Sequence, residues 1–127
     1  MPKVLVVDDD ENIRTAVEVV LAAEGYEVFH AEDGDTALES VKKNPPDIII
    51  CDIEMPRVKG YEVLTSIREN PETEKIPIIF LTGKSEMEYL TKAMELNVND
   101  FLLKPFTAED LLAAIEVQLK KKDSEKA

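Results

Sequence analysis

Five side chains stand out for what they could do together: the adjacent carboxylates Asp8 and Asp9, a third carboxylate at Asp52, the hydroxyl of Thr82 and the ammonium of Lys104. Three carboxylates cannot share a small space unaided. At roughly 4 Å and an effective dielectric near 20, each like-charged pair costs about 4 kcal/mol. Such a cluster either holds protons or attracts a cation. Hard oxygen ligands, few in number and left partly open, favour Mg²⁺ that keeps some water and shares its shell with a phosphate. A lysine and a hydroxyl opposite the carboxylates then suit phosphoryl transfer, in which an aspartate attacks in line while cations neutralise the equatorial oxygens.

Two other readings of the acidic run fail on spacing. Asp8-Asp9-Asp10-Glu11-Asn12 imitates the start of an EF-hand loop, but that loop needs Gly at position 13 and Glu at position 19, where this chain has Ile13 and Val19. A nucleotide site would need a glycine-rich turn after the first strand. Here the turn is acidic, and no GxxxxGK[ST] sequence occurs.

Each of the five groups lies where an apolar run stops. Lys3-Val4-Leu5-Val6-Val7 closes in Asp8-Asp9-Asp10, and Asp47-Ile48-Ile49-Ile50-Cys51 closes in Asp52. Pro77-Ile78-Ile79-Phe80-Leu81 ends in Thr82-Gly83, and Phe101-Leu102-Leu103 in Lys104-Pro105. Near-continuous apolar runs mark parallel strands covered on both faces. A further strand, Tyr26 to Ala31, ends without such a group.

Helix-period segments separate the strands. Ile13, Val17, Val20 and Leu21 follow an N-cap at Asp10. Ala37, Leu38 and Val41 follow Asp33-Gly34 and stop at Asn44-Pro45-Pro46, and Tyr61, Leu64 and Ile67 stop at Asn70-Pro71-Glu72. Ser85-Glu86-Met87-Glu88 reads as a capping box for a fourth helix through Met94 and Leu96. Thr107 opens the last helix, with Leu111, Leu112, Ile115 and Leu119. Five βα units predict a single-domain, doubly wound α/β fold of the flavodoxin-like kind, a parallel five-stranded sheet in the order 2-1-3-4-5. Ligands bind such sheets outside the carboxyl ends of the strands where the winding reverses, between strands one and three. That places Asp8-Asp9 beside Asp52, with Thr82 and Lys104 completing the rim.

The 127 residues make one domain, assigned to 1–122, with a polar tail at 123–127 and fraying expected from Lys120 on. A net charge of -12 argues against direct nucleic-acid binding, because phosphates would be repelled. Cys51 is the single cysteine, which excludes an internal disulfide, and it reads as a small core residue. His30 has no second histidine to share a metal and reads as a surface strand residue. No apolar run is long enough to span a bilayer, and Met1-Pro2-Lys3 leads into a strand rather than a signal peptide. A cytoplasmic chain is expected.

In this order the residues resemble the receiver domain of bacterial two-component response regulators, of the chemotaxis-regulator-like kind. The resemblance rests on Val7-Asp8-Asp9, Asp52-x-x-Met55-Pro56-x-x-x-Gly60, Leu81-Thr82-Gly83 and Lys104-Pro105-Phe106, and runs from Lys3 to about Leu119. It implies that Asp52 takes a phosphoryl group from a phosphohistidine on a sensor histidine kinase or histidine phosphotransfer protein. The implied protein is a switch that catalyses its own phosphorylation and dephosphorylation rather than a turnover enzyme. Mg²⁺ is the implied cofactor, ligated by Asp9, Asp52 and the main-chain carbonyl of Glu54, with Asp8 acting through water. By the same likeness Thr82 reaches a phosphoryl oxygen with the Gly83 amide alongside. Lys104 pairs with Asp52 and then with the phosphoryl group, and Lys104-Pro105 is cis.

Phe101 takes the place of an aromatic switch that swings inward when Thr82 moves, although it lacks the hydroxyl a tyrosine would offer. The face made by the fourth helix, fifth strand and fifth helix, with Tyr89, Lys92 and Phe101, would meet a downstream effector, a covalently linked output domain or a second copy in a homodimer. Glu54 and Lys84 stand two residues beyond Asp52 and Thr82. They are expected to pair across the mouth and slow the water that hydrolyses the acyl phosphate.

Two alternatives stay open at this point. One is a small phosphatase of the haloacid dehalogenase type, whose Asp-x-Asp-x-Thr/Val loop would need Thr or Val where Asn12 stands. The other is a receiver-like module that docks partners without phosphorylation.

Overall fold

The computed structural model describes residues 1–53, 55, 58–83, 94–95 and 97–126, with side chains described as far as Lys122. Strands and helices alternate: β1 (Lys3–Val7), α1 (Glu11–Ala23), β2 (Glu27–Ala31), α2 (Gly34–Lys43), β3 (Ile48–Asp52), α3 (Gly60–Glu69), β4 (Ile78–Thr82), β5 (Asp100–Leu103) and the C-terminal helix, here α4 (Ala108–Lys126). All strand pairs are parallel, in the order β2-β1-β3-β4-β5. This is the topology that the five apolar runs predict. The capping box at Ser85 and the fourth helix expected from it lie outside the described residues, apart from two helical residues, Met94 and Glu95.

Strand period two divides the core into two layers. Leu5, Val7, Ile49, Cys51, Ile78 and Phe80 face α2 and α3, packing on Ala37, Val41, Val63, Leu64 and Ile67. Val4, Val6, Ile48, Ile50, Ile79 and Leu81 face α1 and α4, packing on Val17, Leu21, Leu111 and Ile115. Every residue of β3 and β4 is buried, as an inner strand covered on both faces requires.

The helix starts follow local chemistry. The Asp10 carboxylate accepts from the Asn12 amide at 2.9 Å, and the Asp33 carboxylate from the Thr36 amide at 2.8 Å. The Thr107 hydroxyl accepts from the Asp110 amide at 3.0 Å. Gly60 opens α3 so close to the end of β3 that a Cβ there would stand 2.5 Å from the Asp52 carbonyl oxygen, and its amide donates to Ile53 at 2.8 Å. Any larger residue would push the α3 entry away from the β3 terminus.

The backbone of α4 is helical through Lys126. No Gly or Pro interrupts that stretch. His30 is exposed, as expected of a surface strand residue, but it is not isolated: its Nε2 lies 3.0 Å from Glu18 of α1.

Candidate functional site

The strand register brings the carboxylates together. Val7 of β1 lies opposite Cys51 of β3, so the next residues, Asp8 and Asp52, leave the sheet side by side. Both share the parity of the α1/α4 layer, and so does Lys104, one residue beyond β5. The Lys104 amide donates to the Thr82 carbonyl at 2.7 Å, which carries the sheet one step further and turns the lysine over the rim.

The resulting distances are short. Carboxylate oxygens of Asp8, Asp9 and Asp52 lie within 4.8 Å of one another. Lys104 Nζ is 3.2 Å from Asp52 Oδ1 and 3.6 Å from Asp8 Oδ2. Asp8 and Asp52 are almost fully buried, whereas Asp9 is exposed. A buried carboxyl this close to its kind resists ionisation. Burial pushes the Asp8 carboxyl above its ordinary range, and Asp9 adds to the rise. The Asp10 amide and the Lys104 ammonium oppose it.

Asp8 is held at several points. Its amide donates to the Ala31 carbonyl at 3.2 Å, its Oδ1 accepts from the Asp10 amide at 2.9 Å, and its carbonyl accepts from Arg14 Nη1 at 2.6 Å. Asp8 Oδ2 is a buried oxygen with no hydrogen-bond partner. An orphaned carboxylate oxygen costs free energy unless something else meets it. Three oxygen donors converge there beside one ammonium, a donor set that fits a hard divalent cation such as Mg²⁺.

The other expected residues fall into three groups. Thr82 ends β4 fully buried, and its hydroxyl donates to the Gly83 carbonyl at 3.1 Å. It shares the parity of Ile78 and Phe80, the α2/α3 layer, so it approaches the rim from the other side of the sheet. Phe101 is on the exposed side of β5, 38% accessible, with Leu103 on the same side at 39%. Glu54, Lys84, Tyr89 and Lys92 lie outside the described residues. Lys104-Pro105 is cis, as the resemblance implies. Cys51 is wholly buried, and burial together with the Asp52 and Asp8 carboxylates pushes its thiol well up, so it is a core residue.

Reading the sequence for carboxylates and their counter-ion missed Arg14. The signal was available: it is the only Lys or Arg between Lys3 and Lys42, a span with eleven Asp and Glu. It missed Arg68 as well, which shows only as a basic residue near the end of α3.

Comparison with known proteins agrees with this geometry. Residues 4–116 match the family of the response regulator receiver domain. Among curated proteins, the phosphate regulon transcriptional regulatory protein PhoB of Rhizobium meliloti is 34% identical over 121 residues, 95% of this chain and 53% of the relative. The transcriptional regulatory protein PrrA of Mycobacterium tuberculosis is 36% identical over 123 residues, 97% of this chain and 52% of the relative. The chain thus spans about half the length of these relatives. Among solved structures, the chemotaxis response regulator CheY4 of Vibrio cholerae superposes with a TM-score of 0.87 at 36% identity, covering 93% of this chain and 98% of that one. A response regulator receiver domain protein of Clostridium thermocellum gives 0.90 at 30% identity, covering 97% and 98%. These likenesses favour neither the phosphatase nor the phosphorylation-independent docking module. A family match over nearly the whole sheet, joined to an acidic cluster and a lysine at its carboxyl rim, leads to one statement: the chain belongs to the response regulator receiver domains of two-component systems.

Proposed function

We propose that Asp52 is the phosphoryl acceptor of this receiver and that Lys104, Thr82, Asp8 and Asp9 serve it. The observation that carries the reading is the position of Lys104 Nζ, 3.2 Å from Asp52 Oδ1 within the same group as the Asp8 and Asp9 carboxylates. The donor is a phosphohistidine of a sensor kinase or phosphotransfer protein. A carboxylate oxygen of Asp52 attacks phosphorus and the P–N bond breaks. Its electron pair returns to the imidazole nitrogen, leaving an acyl phosphate.

Asp8, Asp9 and Asp52 would hold Mg²⁺, together with the carbonyl of Glu54. When bound, the ion supplies positive charge to the oxygens of the phosphoryl group. Lys104 pairs with the Asp52 carboxylate before transfer and with the new dianion afterwards. The Thr82 hydroxyl would leave the Gly83 carbonyl to donate to a phosphoryl oxygen. That displacement biases Phe101, and the exposed Phe101 and Leu103 lie on the face offered to an effector, an attached output domain or a second copy. Only the difference in partner affinity between the two states carries the signal. Glu54 and Lys84 would set the lifetime of the acyl phosphate by pairing across the mouth. No helix among the described residues is long and apolar enough to cross a membrane, in keeping with a cytoplasmic switch.

Intact-protein mass spectrometry after treatment with acetyl phosphate and Mg²⁺ tests the assignment. A single phosphoryl adduct is expected on the wild type and none on Asp52→Asn. An unmodified wild type, or an adduct that persists on Asp52→Asn, overturns it.

A further inference from the structure

We infer that Arg14 is a positioning residue for the acidic site, acting on the main chain of Asp8 rather than on any charge. The starting point is where this arginine stands. It is the only cation between Lys3 and Lys42, in a span carrying eleven Asp and Glu. A guanidinium so placed would be expected to pair with a carboxylate. It does not: among the described residues, Arg14 forms no ion pair and instead donates through Nη1 to the Asp8 carbonyl at 2.6 Å.

The placement follows from the start of α1. Asp10 caps the helix, the Arg14 amide bonds the Asp10 carbonyl at 3.2 Å, and the side chain reaches back to the last residue of the β1 extension. The peptide plane that contains the Asp8 carbonyl also contains the Asp9 amide, and peptide planes do not bend. Pinning that oxygen therefore holds the plane that joins the Asp8 and Asp9 Cα atoms, from which both side chains leave the backbone. With the Asp8 amide tied to Ala31 and Oδ1 tied to Asp10, the arginine is the third tether. It leaves Oδ2 as the carboxylate oxygen without a hydrogen bond, 3.6 Å from Lys104.

A second observation points to the same place. Among the described residues, two buried side-chain polar atoms lack a hydrogen-bond partner: Asp8 Oδ2 and Arg14 Nε. Unmet buried polar atoms are few in folded proteins and call for a reason. Here both belong to side chains joined through one residue, Asp8. An arginine kept for stability would be expected to satisfy Nε. One kept for orientation tolerates the loss.

The inference rests on the reading that the carboxylates hold a divalent ion, and its test separates the two. Mn²⁺ binding to the full chain is followed by electron paramagnetic resonance for the wild type, Arg14→Lys and Arg14→Met. Circular dichroism at the same temperature verifies that each protein is folded. Groups that orient metal ligands typically change affinity about 10–100-fold. Arg14→Met should bind Mn²⁺ about 10-fold more weakly, and Arg14→Lys should fall between, since an ammonium restores a donor but not the planar fork.

The sign is diagnostic. Removing a nearby positive charge would by itself tighten cation binding, so a weaker site cannot come from lost charge. Unchanged or tighter binding in Arg14→Met overturns the inference, as does weakening seen only where the variant has unfolded. A wild type that binds no Mn²⁺ overturns the reading of the site itself.

Discussion

At the carboxyl ends of the strands, two buried carboxylates face one lysine, and Asp8 Oδ2 has no hydrogen bond. At the amino ends, Arg68 commits all its N–H groups to neutral oxygens. Nε donates to the Asn97 carbonyl, Nη1 to the carbonyls of Glu74 and Ile76, and Nη2 to Asn97 and to Asn99 Oδ1. Asn99 continues the network: its Oδ1 also accepts from the Ile78 amide at 2.8 Å, and its carbonyl accepts from Nε2 of the buried Gln118 at 3.4 Å. One guanidinium thus joins α3, the approach to β4, the entry to β5 and α4. The same sheet carries one end whose half-buried cation is fully hydrogen-bonded and another where like charges crowd and a buried oxygen is unmet. Polar groups at the first are arranged for stability, and those at the second are held against it, which is how sites that must react or bind are built.

The contrast makes opposite predictions for the two ends. The largest effect should come from Arg68→Ala, which takes the Arg68 donor from the carbonyls at 74, 76 and 97 and leaves Asn99 Oδ1 with the Ile78 amide alone. A loss of about 2–4 kcal/mol is expected in urea denaturation, with phosphoryl acceptance on Asp52 retained below the unfolding transition. A loss under about 1 kcal/mol would break the comparison.

Next in size, and opposite in sign, is Asp8→Asn. Removing one charge from the cluster should stabilise the metal-free protein by about 1 kcal/mol while weakening divalent-ion binding. Its pH dependence follows from the raised Asp8 carboxyl. The folded chain holds that proton more tightly than the unfolded chain, whose carboxyl keeps the ordinary value of 3.8. Stability is therefore lost as pH rises from 3.8 through the raised folded value, and the penalty is complete above it. The advantage of Asp8→Asn should vanish at the acid end of that window and be full at neutral pH. Urea midpoints across the range read this directly, and a constant difference would rule it out.

The smallest effect sharpens the amino-end description. Lys122 of α4 donates to the Asp47 carbonyl at 3.2 Å and lies 3.5 Å from its carboxylate, which is 41% exposed. Such a pair contributes about 0.2–1 kcal/mol. Lys122→Met should lower stability by no more than that, and the difference should shrink in high salt.

Much of the fold was legible because buried parallel strands write themselves as unbroken β-branched runs. Ile48-Ile49-Ile50-Cys51 and Ile78-Ile79-Phe80-Leu81 could hardly be anything else. The caps at Asp10 and Asp33 were legible for a local reason too, since each satisfies amides two or three residues away. The length of the last helix past Lys120 was not, because a polar helix and a polar tail have the same composition. Arg14 and Arg68 escaped for another reason. Their acceptors are main-chain carbonyls, which every residue carries and no residue type announces.

By itself the sequence determined which residues are apolar, where each run stops, and that Asp8, Asp9, Asp52, Thr82 and Lys104 stand at those stops. These are local properties, set by side-chain chemistry and by spacing along the chain. Which of the stops would meet was decided by tertiary structure. Strand register and parity carried Asp8, Asp52 and Lys104 to one layer and Thr82 to the other, and helix α1 turned Arg14 onto the Asp8 carbonyl. A charge 44 or 52 positions away in sequence acts on its neighbour only when the backbone closes the distance to a few ångströms, because electrostatic and hydrogen-bond energies depend on separation in space and not along the chain.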